Sequence, residues 1–318
     1  MMQTIDPNLL LLGWLIRSTL EMSTPLVLAA LGGMFSEKSG VVNIGLEGMM
    51  LIGAFSAAAV SWYTGNPWLG LLGGIASGGV LAAVHAVACV TFKGNQIVSG
   101  TGVILFASGF TTVMLKVVWG AQGASDSVPK IPDVYINPIK DVPILGTAFG
   151  QMSPIVYLMF VMVVLSYYVL YRTPFGLRLR ASGEDPSTLD TAGVNVDHIR
   201  FVAVVISGCL AGFGGSFLSI SFLGFFGKLM TGGQGFIALA ALIFGNWTPI
   251  GCLLAGVFFG FLNGLQNTIQ ILNVPGLQLY LNFVKMLPYV LVVLALAGIR
   301  RSIPPKAIGT AYEKEAKA

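Results

Sequence analysis

The sequence predicts an all-α polytopic membrane protein with about eight to ten transmembrane helices, and two observations lead to this fold class. Of the 318 residues, 55% are hydrophobic and only 9% are charged, whereas roughly 25% charged residues is usual for a soluble domain. The apolar residues also form long runs, as transmembrane helices of about 20 residues require. We therefore treat residues 1–318 as a single transmembrane domain.

The apolar runs define the candidate spans. These are roughly 9–33, 45–62, 67–90, 97–118, 154–171, 201–220, 233–245, 250–271 and 278–299. The run 233–245 is too short to cross a bilayer alone. It either borrows residues from 221–232 or is a half-helix, and these two possibilities account for the range in the number of spans.

A polar segment at 172–200 interrupts the apolar runs and predicts a docking surface. It contains four arginines, and each charge would cost several kcal/mol at the bilayer centre. The segment therefore lies outside the hydrocarbon, and its arginines place it on the cytoplasmic side. Asp185 as N-cap, Pro186 at the first helical position and Gly193 just past the end predict a helix of about two turns. A short helix that projects from a membrane protein is suited to bind a soluble partner.

The distribution of basic residues predicts the topology. With 172–200 inside, alternation places eleven of the seventeen Lys and Arg residues inside. This bias predicts an outside N-terminus and a cytoplasmic tail at 300–318. The longest external segment, 119–153, contains four prolines and predicts an ordered, non-helical extracytoplasmic cap.

Two glycine-rich runs predict a possible inverted repeat. Residues 67–78 and 249–260 share the pattern Pro-x3-Leu-Leu-x-Gly-x3-Gly, and each lies in a predicted helix with glycines at every fourth position, Gly70, Gly74 and Gly78 in one and Gly256, Gly260 and Gly264 in the other. This spacing allows helix backbones to approach closely. In the predicted topology the two copies run in opposite directions, as in many transporters. Chance similarity between glycine-rich membrane helices is the alternative explanation.

Two polar stretches stand where loops lead into predicted spans. Asn43 and Glu47 open one span, with Glu47 in the first turn, where the helix dipole favours an anion. Glu47 is therefore either a structural cap or part of a substrate pathway, because intramembrane carboxylates are functional candidates. Asn95, Gln96 and Ser99 open another span. They could bind a neutral polar solute, or they could cap the helix and pair across helices.

A glycine-rich break predicts a wall of the substrate pathway. Gly232-Gly-Gln-Gly235 leaves backbone groups at or near membrane depth, where they must be buried in protein or line a cavity. Gln234 supplies an amide at this break. Phe236 either stacks on a ring-shaped solute or faces lipid or the core.

The remaining charged and reactive residues indicate no catalysis. Arg17 and Glu21 are spaced i,i+4 in the first span and predict an ion pair. The sequence has no Walker A, GxSxG or HExxH motif, and its cysteines lack metal-binding spacing. We therefore expect no catalytic residue, no metal and no cofactor in this chain.

Eight short stretches carry a family resemblance. They are Thr24-Pro25, Ala30-Leu-Gly-Gly33, Glu37, Gly40-Val-Val-Asn-Ile-Gly-Leu-Glu-Gly48, Asn95-Gln-Ile-Val-Ser-Gly100, Phe175-Gly-Leu-Arg-Leu-Arg-Ala-Ser-Gly-Glu184, Ala192-Gly-Val-Asn195 and Gly235-Phe-Ile-Ala-Leu-Ala240. Together they resemble the inner-membrane permease subunits of ATP-binding-cassette (ABC) importers of the branched-chain amino acid, ribose and nucleoside class. The combination is most similar to the shorter permease of bacterial nucleoside importers. Ser182 departs from the pattern, since a less polar small residue is expected there.

This resemblance implies a type II-like permease fold in a bacterial cytoplasmic (inner) membrane. It also implies three protein partners: a second permease subunit, an ABC ATPase that consumes the ATP, and an extracytoplasmic substrate-binding protein, which can be a lipoprotein. No nucleic acid is implied. The 172–200 segment is implied to carry a coupling helix that lies in a groove of the ATPase. The residues expected in this coupling are Arg178, Arg180, Gly183, Glu184, Asp185, Pro186 and Gly193.

Two functional hypotheses follow. The first is the permease subunit of an ATP-driven importer of nucleosides or related simple sugars, with Asn43, Glu47, Asn95, Gln96, Ser99, Gln234 and Phe236 along its pathway. The alternative is an ion-coupled secondary transporter of a small polar solute. It requires a membrane carboxylate that titrates, for which Glu47 and Glu21 are the candidates, and it gives the docking helix no role. Co-purification with an ATPase distinguishes the two.

Overall fold

The computed structural model describes residues 7–135, 143–272 and 303–313, together with Phe283, Met286, Leu287 and Val290. Within these residues the helices are α1 (Pro7–Lys38), α2 (Leu46–Thr64), α3 (Pro67–Ala86), α4 (Gln96–Trp119), α5 (Pro143–Phe149), α6 (Pro154–Arg172), α7 (Pro174–Glu184), α8 (Pro186–Thr191), α9 (Val196–Phe217), α10 (Gln234–Phe244) and α11 (Pro249–Leu272). Helices α3 and α9 are prolonged by π-helical turns at Val87–Thr91 and Leu218–Leu223. Two short strands, β1 (Val134–Tyr135) and β2 (Gln151–Met152), pair antiparallel.

Several helices begin with the same local signal, a capping side chain followed by proline. The side chains of Asn66, Ser153, Thr173 and Asp185 accept hydrogen bonds from backbone amides in the first turns of α3, α6, α7 and α8. Proline follows each of them, because its missing N–H has no partner to lose at the first helical position. The predicted limits of α8, with Asp185 as N-cap and Gly193 beyond its end, are confirmed.

Among the described residues, six helices are long and apolar enough to cross a membrane, and each coincides with a predicted span. They are Leu46–Thr64, Pro67–Thr91, Gln96–Trp119, Pro154–Arg172, Val196–Leu223 and Pro249–Thr268. The first predicted span lies within α1. Helix α10 has 11 residues, about 16 Å of helix, so it is a half-helix. The last predicted span, 278–299 with Lys285, lies outside the described residues apart from the four positions named above.

Helices α1 and α9 form the centre of the bundle. Helix α1 packs against α9, α10 and α11, whereas α9 packs against α2 and α3 as well. The two glycine-rich runs lie at tight crossings: a Cβ at Gly78 would collide with the backbone of α9, and a Cβ at Gly260 would collide with Ser23 of α1. The predicted close approach at these glycines is confirmed. The contacts at the glycines make α3 antiparallel to α9, α9 antiparallel to α1, and α1 antiparallel to α11. The two runs therefore point in opposite directions.

The polar segment 172–200 contains more helix than the sequence predicts. Helix α7 precedes the predicted short helix, and the first turn of α9 forms the end of the segment. Thr173 and Pro174 start α7 in the way that Asp185 and Pro186 start α8. The description of this segment as a loop with one short helix is therefore corrected to two helices and the beginning of a third.

The described residues of the segment 119–153, which are 119–135 and 143–153, form an ordered cap, but the expectation of a non-helical cap is wrong. Helix α5 begins at Pro143 and packs against α1, since proline is compatible with the first position of a helix. Asp133 of the cap lies 3.5 Å from Arg17, which also pairs with Glu21 at 3.0 Å. The predicted ion pair is confirmed, and the cap contributes a third charge to it.

Candidate functional site

A single carboxylate joins the start of half-helix α10 to the first turn of α2. Glu47 Oε1 accepts hydrogen bonds from Thr231 Oγ1 at 2.6 Å and from the Gly233 amide at 2.9 Å. Its Oε2 accepts one from the Gly235 amide at 2.6 Å. Amides at a helix N-terminus carry partial positive charge and favour an anion. Glu47 is therefore a cap, but it caps a helix from the other half of the chain.

The predicted break before α10 is a tight turn packed on α2. Gly233 is the N-cap residue of α10 and has φ +88°, a conformation that glycine adopts without steric cost. A Cβ on Gly235 would lie 2.5 Å from the Cα of Glu47. The amides of this break that bond to Glu47 are thereby satisfied within protein, as membrane depth requires.

Asn43 is buried in the loop before α2 and faces α9. Its Nδ2 donates to Ser207 Oγ at 2.9 Å and also lies 3.5 Å from Met49 Sδ. Its Oδ1 is buried and has no hydrogen-bond partner among the residues that the structure describes. Asn43 thus connects two helices and keeps one unused acceptor inside the bundle.

Asn95, Gln96 and Ser99 connect the start of α4 to neighbouring segments. The exposed Asn95 side chain accepts hydrogen bonds from two amides in the first turn of α4. Gln96 Oε1 accepts one from the Val42 amide at 2.7 Å. Ser99 Oγ lies 2.9 Å from His85 Nδ1, and His85 Nε2 lies 3.4 Å from the Val42 carbonyl. The structure therefore brings Gln96 and Ser99 to the loop that precedes α2.

Gln234 and Phe236 lie at the start of α10, beside the break. Gln234 Oε1 is buried and has no hydrogen-bond partner within the described part of the chain. Phe236 is 46% exposed. The structure thus separates the predicted pathway residues into two groups, those beside the break and those engaged in hydrogen bonds around the loop before α2 and the start of α4.

Helices α7 and α8 hold the predicted docking residues at one end of the bundle. Arg178, Glu184, Asp185 and Gly193 are exposed, Arg180 and Pro186 are half-buried, and Gly183 is buried. Asp185 accepts hydrogen bonds from the hydroxyls of Ser187 and Thr188, each at 2.6 Å, and from the Thr188 amide at 3.1 Å. These bonds lower the pKa of Asp185 to about 2, so the cap of α8 stays ionised at neutral and mildly acidic pH.

The sequence did not predict that two polar residues near this end, Arg200 and Glu37, are buried and hydrogen-bonded to distant segments. Arg200 belongs to the polar segment 172–200, yet it is only 2% exposed. Its guanidinium donates hydrogen bonds to Ser182 and Thr310. Glu37 is buried and accepts a hydrogen bond from Trp247 Nε1 at 2.6 Å. A carboxylate at the end of an apolar helix is the only local signal for the second pair, because the partners are far apart in sequence.

The chain matches one protein family over most of its length. Residues 15–296 match the family described as branched-chain amino acid transport system / permease component. Over 319 residues the chain is 40% identical to the guanosine ABC transporter permease protein NupQ of Bacillus subtilis, covering 96% of this chain and 98% of NupQ. Over 309 residues it is 38% identical to the nucleoside ABC transporter permease protein NupC of Lactococcus lactis, covering 94% of this chain and 96% of NupC.

A second protein of Bacillus subtilis is a more distant relative. The guanosine ABC transporter permease protein NupP is 23% identical to the chain over 261 residues, covering 78% of this chain and 68% of NupP. The chain is therefore similar to two guanosine permease proteins of one organism, and the similarity to NupQ is the greater of the two. No solved structure matches the chain significantly.

Proposed function

This chain belongs to the family of branched-chain amino acid transport system permease components, and on that premise we propose that it forms half of the translocation pathway of an ATP-driven nucleoside importer. It is a multi-pass membrane transport component rather than an enzyme. The observation that carries the choice of nucleosides is the near full-length similarity to NupQ and NupC, whose names specify guanosine and nucleosides.

The proposed importer contains three further kinds of subunit. The relation to both NupP and NupQ of one organism supports a second, different permease as the other half of the pathway. A cytoplasmic ATPase binds and hydrolyses the ATP, and it docks on α7 and α8. An extracytoplasmic binding protein delivers the solute at the opposite end, where the cap of residues 119–153 lies. The arginines of α7 support an orientation with the docking face and the C-terminus in the cytoplasm, and the similarity to two bacterial permeases supports a bacterial cytoplasmic membrane.

The break before α10 is the proposed place where solute contacts this chain. Gln234 Oε1 at the break and Asn43 Oδ1 in the loop before α2 are buried acceptors without hydrogen-bond partners among the described residues. A buried acceptor left unpaired is costly, and a nucleoside has the amino, ring N–H and hydroxyl donors that would satisfy it. Phe236 is exposed at the same helix start and offers an aromatic face for the base. Gln96 and Ser99 support this region through the loop before α2.

An ion-coupled secondary transporter is not favoured. That mechanism needs a membrane carboxylate that is free to exchange protons or bind sodium. Glu47 already accepts three hydrogen bonds from the start of α10, and Glu21 is paired with Arg17. Both candidate carboxylates are therefore committed to structural contacts.

Uptake of radiolabelled guanosine tests the proposed solute. A bacterium without nucleoside permeases of its own would express this chain with its cognate permease, ATPase and binding protein. We expect accumulation that excess adenosine or cytidine competes with and that excess leucine or free ribose does not. Cells that lack only this chain are the matched control. Competition by leucine or ribose instead of nucleosides would contradict the proposed solute.

A further inference from the structure

The turn that follows half-helix α10 has an unusual backbone. Asn246 and Trp247 are consecutive residues with positive φ, +51° and +52°. Residues other than glycine seldom adopt this left-handed conformation, and for a bulky residue such as Trp it is a genuine outlier. Such residues persist only where surrounding contacts hold them, and they concentrate at sites that bind or switch. The contacts that maintain this turn are therefore candidates for a role in the movements of transport.

Each of the two residues is held through its side chain. Trp247 Nε1 donates to Glu37 Oε2 at 2.6 Å, and both residues are buried. Asn246 Oδ1 accepts a hydrogen bond from the Ile303 amide at 3.0 Å. The first contact joins the turn to the end of α1. The second joins it to residues 303–313, which we name the C-terminal strap.

The C-terminal strap continues from this turn to the end of α7. The Ala307 amide donates to the Gly183 carbonyl at 2.8 Å, and the Gly309 amide donates to the Gly40 carbonyl at 3.0 Å. Gly183 has no space for a side chain, because a Cβ there would collide with the Lys38 carbonyl. Helix α7, the end of α1 and the strap are therefore in direct backbone contact.

Arg200 holds the same assembly from α9. Its Nη1 donates to the Thr310 carbonyl at 2.8 Å, and its Nε and Nη2 donate to Ser182 Oγ and the Ser182 carbonyl at 3.3 and 3.2 Å. Ser182 Oγ donates in turn to the Ser39 carbonyl at 3.0 Å. The planar guanidinium holds several acceptors in a fixed arrangement, which a lysine ammonium does not reproduce. Ser182, the residue that departs from the family pattern, is thus part of this network.

The strap is short and stiff between its two attachments. Ile303 contacts the turn after α10 and Ala307 contacts α7, and Pro304 and Pro305 lie between them. Proline fixes φ near −65°, so this stretch has little freedom to absorb a displacement. The start of α10 is held by Glu47 of α2, and the turn after α10 is held by the strap. A movement of α7 that the strap transmits therefore acts on the end of α10 opposite to its contact with α2.

We propose that the C-terminal strap couples helix α7, which lies beside docking helix α8 on the face that binds the ATPase, to the turn after α10, with Asn246 and Arg200 as positioning residues. The inference rests on the proposed function, in which α7 and α8 dock on the ATPase and α10 lines the pathway. When the ATPase moves α7, the strap carries the displacement to Asn246 and shifts α10 against α2. Neither positioning residue contacts the solute.

The ratio of guanosine imported to ATP hydrolysed tests this proposal. It is measured in proteoliposomes that contain the complete importer and its binding protein. Asn246→Gly removes the acceptor for the Ile303 amide and suits the positive φ, whereas Asn246→Asp keeps the acceptor. Arg200→Lys keeps the positive charge but loses the planar guanidinium, whose N–H groups reach Ser182 and Thr310 at the same time. We expect the ratio to fall about two- to tenfold in Asn246→Gly, which loses one exposed hydrogen bond to the Ile303 amide. We expect a fall of about tenfold in Arg200→Lys, which disturbs the buried hydrogen bonds to Ser182. Hydrolysis is retained in both variants, and Asn246→Asp stays near wild type.

Two further variants define the controls. Lys306→Ala changes an exposed side chain within the strap and is expected to leave the ratio unchanged. The double variant Asn246→Gly/Arg200→Lys is expected to have the same ratio of import to hydrolysis as the more impaired of the two single variants, because both residues act through one strap.

The outcomes separate this inference from the proposed function. An unchanged ratio in Asn246→Gly would overturn the coupling role of the strap and leave the proposed function standing. Equal loss in Asn246→Gly and Asn246→Asp, or hydrolysis that falls in step with uptake, would overturn it as well. Failure of the wild-type importer to take up guanosine would instead contradict the proposed function.

Discussion

The Glu47 carboxylate accepts a 2.6 Å hydrogen bond from the amide of Gly235, which lies 188 residues further along the chain. This bond brings the first turn of α2 against the start of half-helix α10. Both helix starts carry partial positive charge, and Glu47 supplies the negative charge between them. A residue that could be interpreted as a simple cap of its own helix is therefore a direct polar link between the two halves of the protein.

Replacing Glu47 by Gln is expected to destabilise this link. Glutamine keeps one acceptor oxygen, but it places an NH2 group against backbone donors and removes the charge that favours both helix starts. Hydrogen bonds to charged groups contribute about 1.5–3 kcal/mol each, so we expect a loss of about 2–4 kcal/mol. The apparent melting temperature of the purified permease measures it. Glu313→Gln, at an exposed position, should melt like wild type, and equal melting of Glu47→Gln would contradict the assigned role.

A methyl group at Gly235 is expected to separate the same two helices. Its Cβ would lie 2.5 Å from the backbone N and Cα of Glu47, and backbone cannot move aside as a flexible side chain can. Gly235→Ala should therefore lower both the amount of folded permease in the membrane and guanosine uptake. Gly102→Ala, where nothing lies within 4 Å, is the matched control and should match wild type. Normal uptake in Gly235→Ala would show that α2 and α10 do not pack as described.

The sequence predicts local features of this protein but not the contacts between distant segments. Asp185, Pro186 and Gly193 specify the limits of α8 through local chemistry, and the break before α10 is visible as a run of glycines. The bonds that Glu47 makes to α10 depend on how distant segments pack, for which no short-range pattern exists. The same holds for the contact between Glu37 and Trp247. Long-range polar contacts therefore had to come from the structure.

The docking helix can be tested at its end. Gly193 follows α8 with φ +81° and has open space around it, so only the backbone conformation restricts this position. Gly193→Val disfavours that conformation by about 1–2 kcal/mol and should displace the end of α8, which would reduce ATP-driven uptake several-fold with the permease still inserted. Gly193→Asn, which tolerates positive φ, should retain most uptake. Unimpaired uptake in Gly193→Val would remove the docking role from this helix end.

The pathway wall can be tested by labelling single cysteines. In a variant whose three native cysteines are replaced, Gln234→Cys should react with a small aqueous maleimide, and saturating guanosine with binding protein should slow the reaction. Leu254→Cys lies on an exposed face of a membrane helix, where lipid excludes the charged reagent, and should stay unreactive. If both positions are equally inert, the break before α10 does not line the pathway.

The sequence predicted the membrane helices but missed two helices outside the apolar runs. The apolar runs predicted the membrane helices because length and hydrophobicity alone decide which segments enter the bilayer. Helices α5 and α7 were missed, since a proline-rich cap and an arginine-rich segment both resemble loops. In each case the proline stands at the first helical position, Pro143 and Pro174, where it starts a helix and does not interrupt one.

The most direct test of the whole account is the energy source of transport. The complete importer is reconstituted in proteoliposomes with ATP inside, in the orientation that places the docking face with the ATP, and guanosine uptake is measured with and without proton and sodium ionophores. We expect uptake that requires hydrolysable ATP and that the ionophores do not change. Uptake without ATP that follows an imposed proton or sodium gradient would contradict the account.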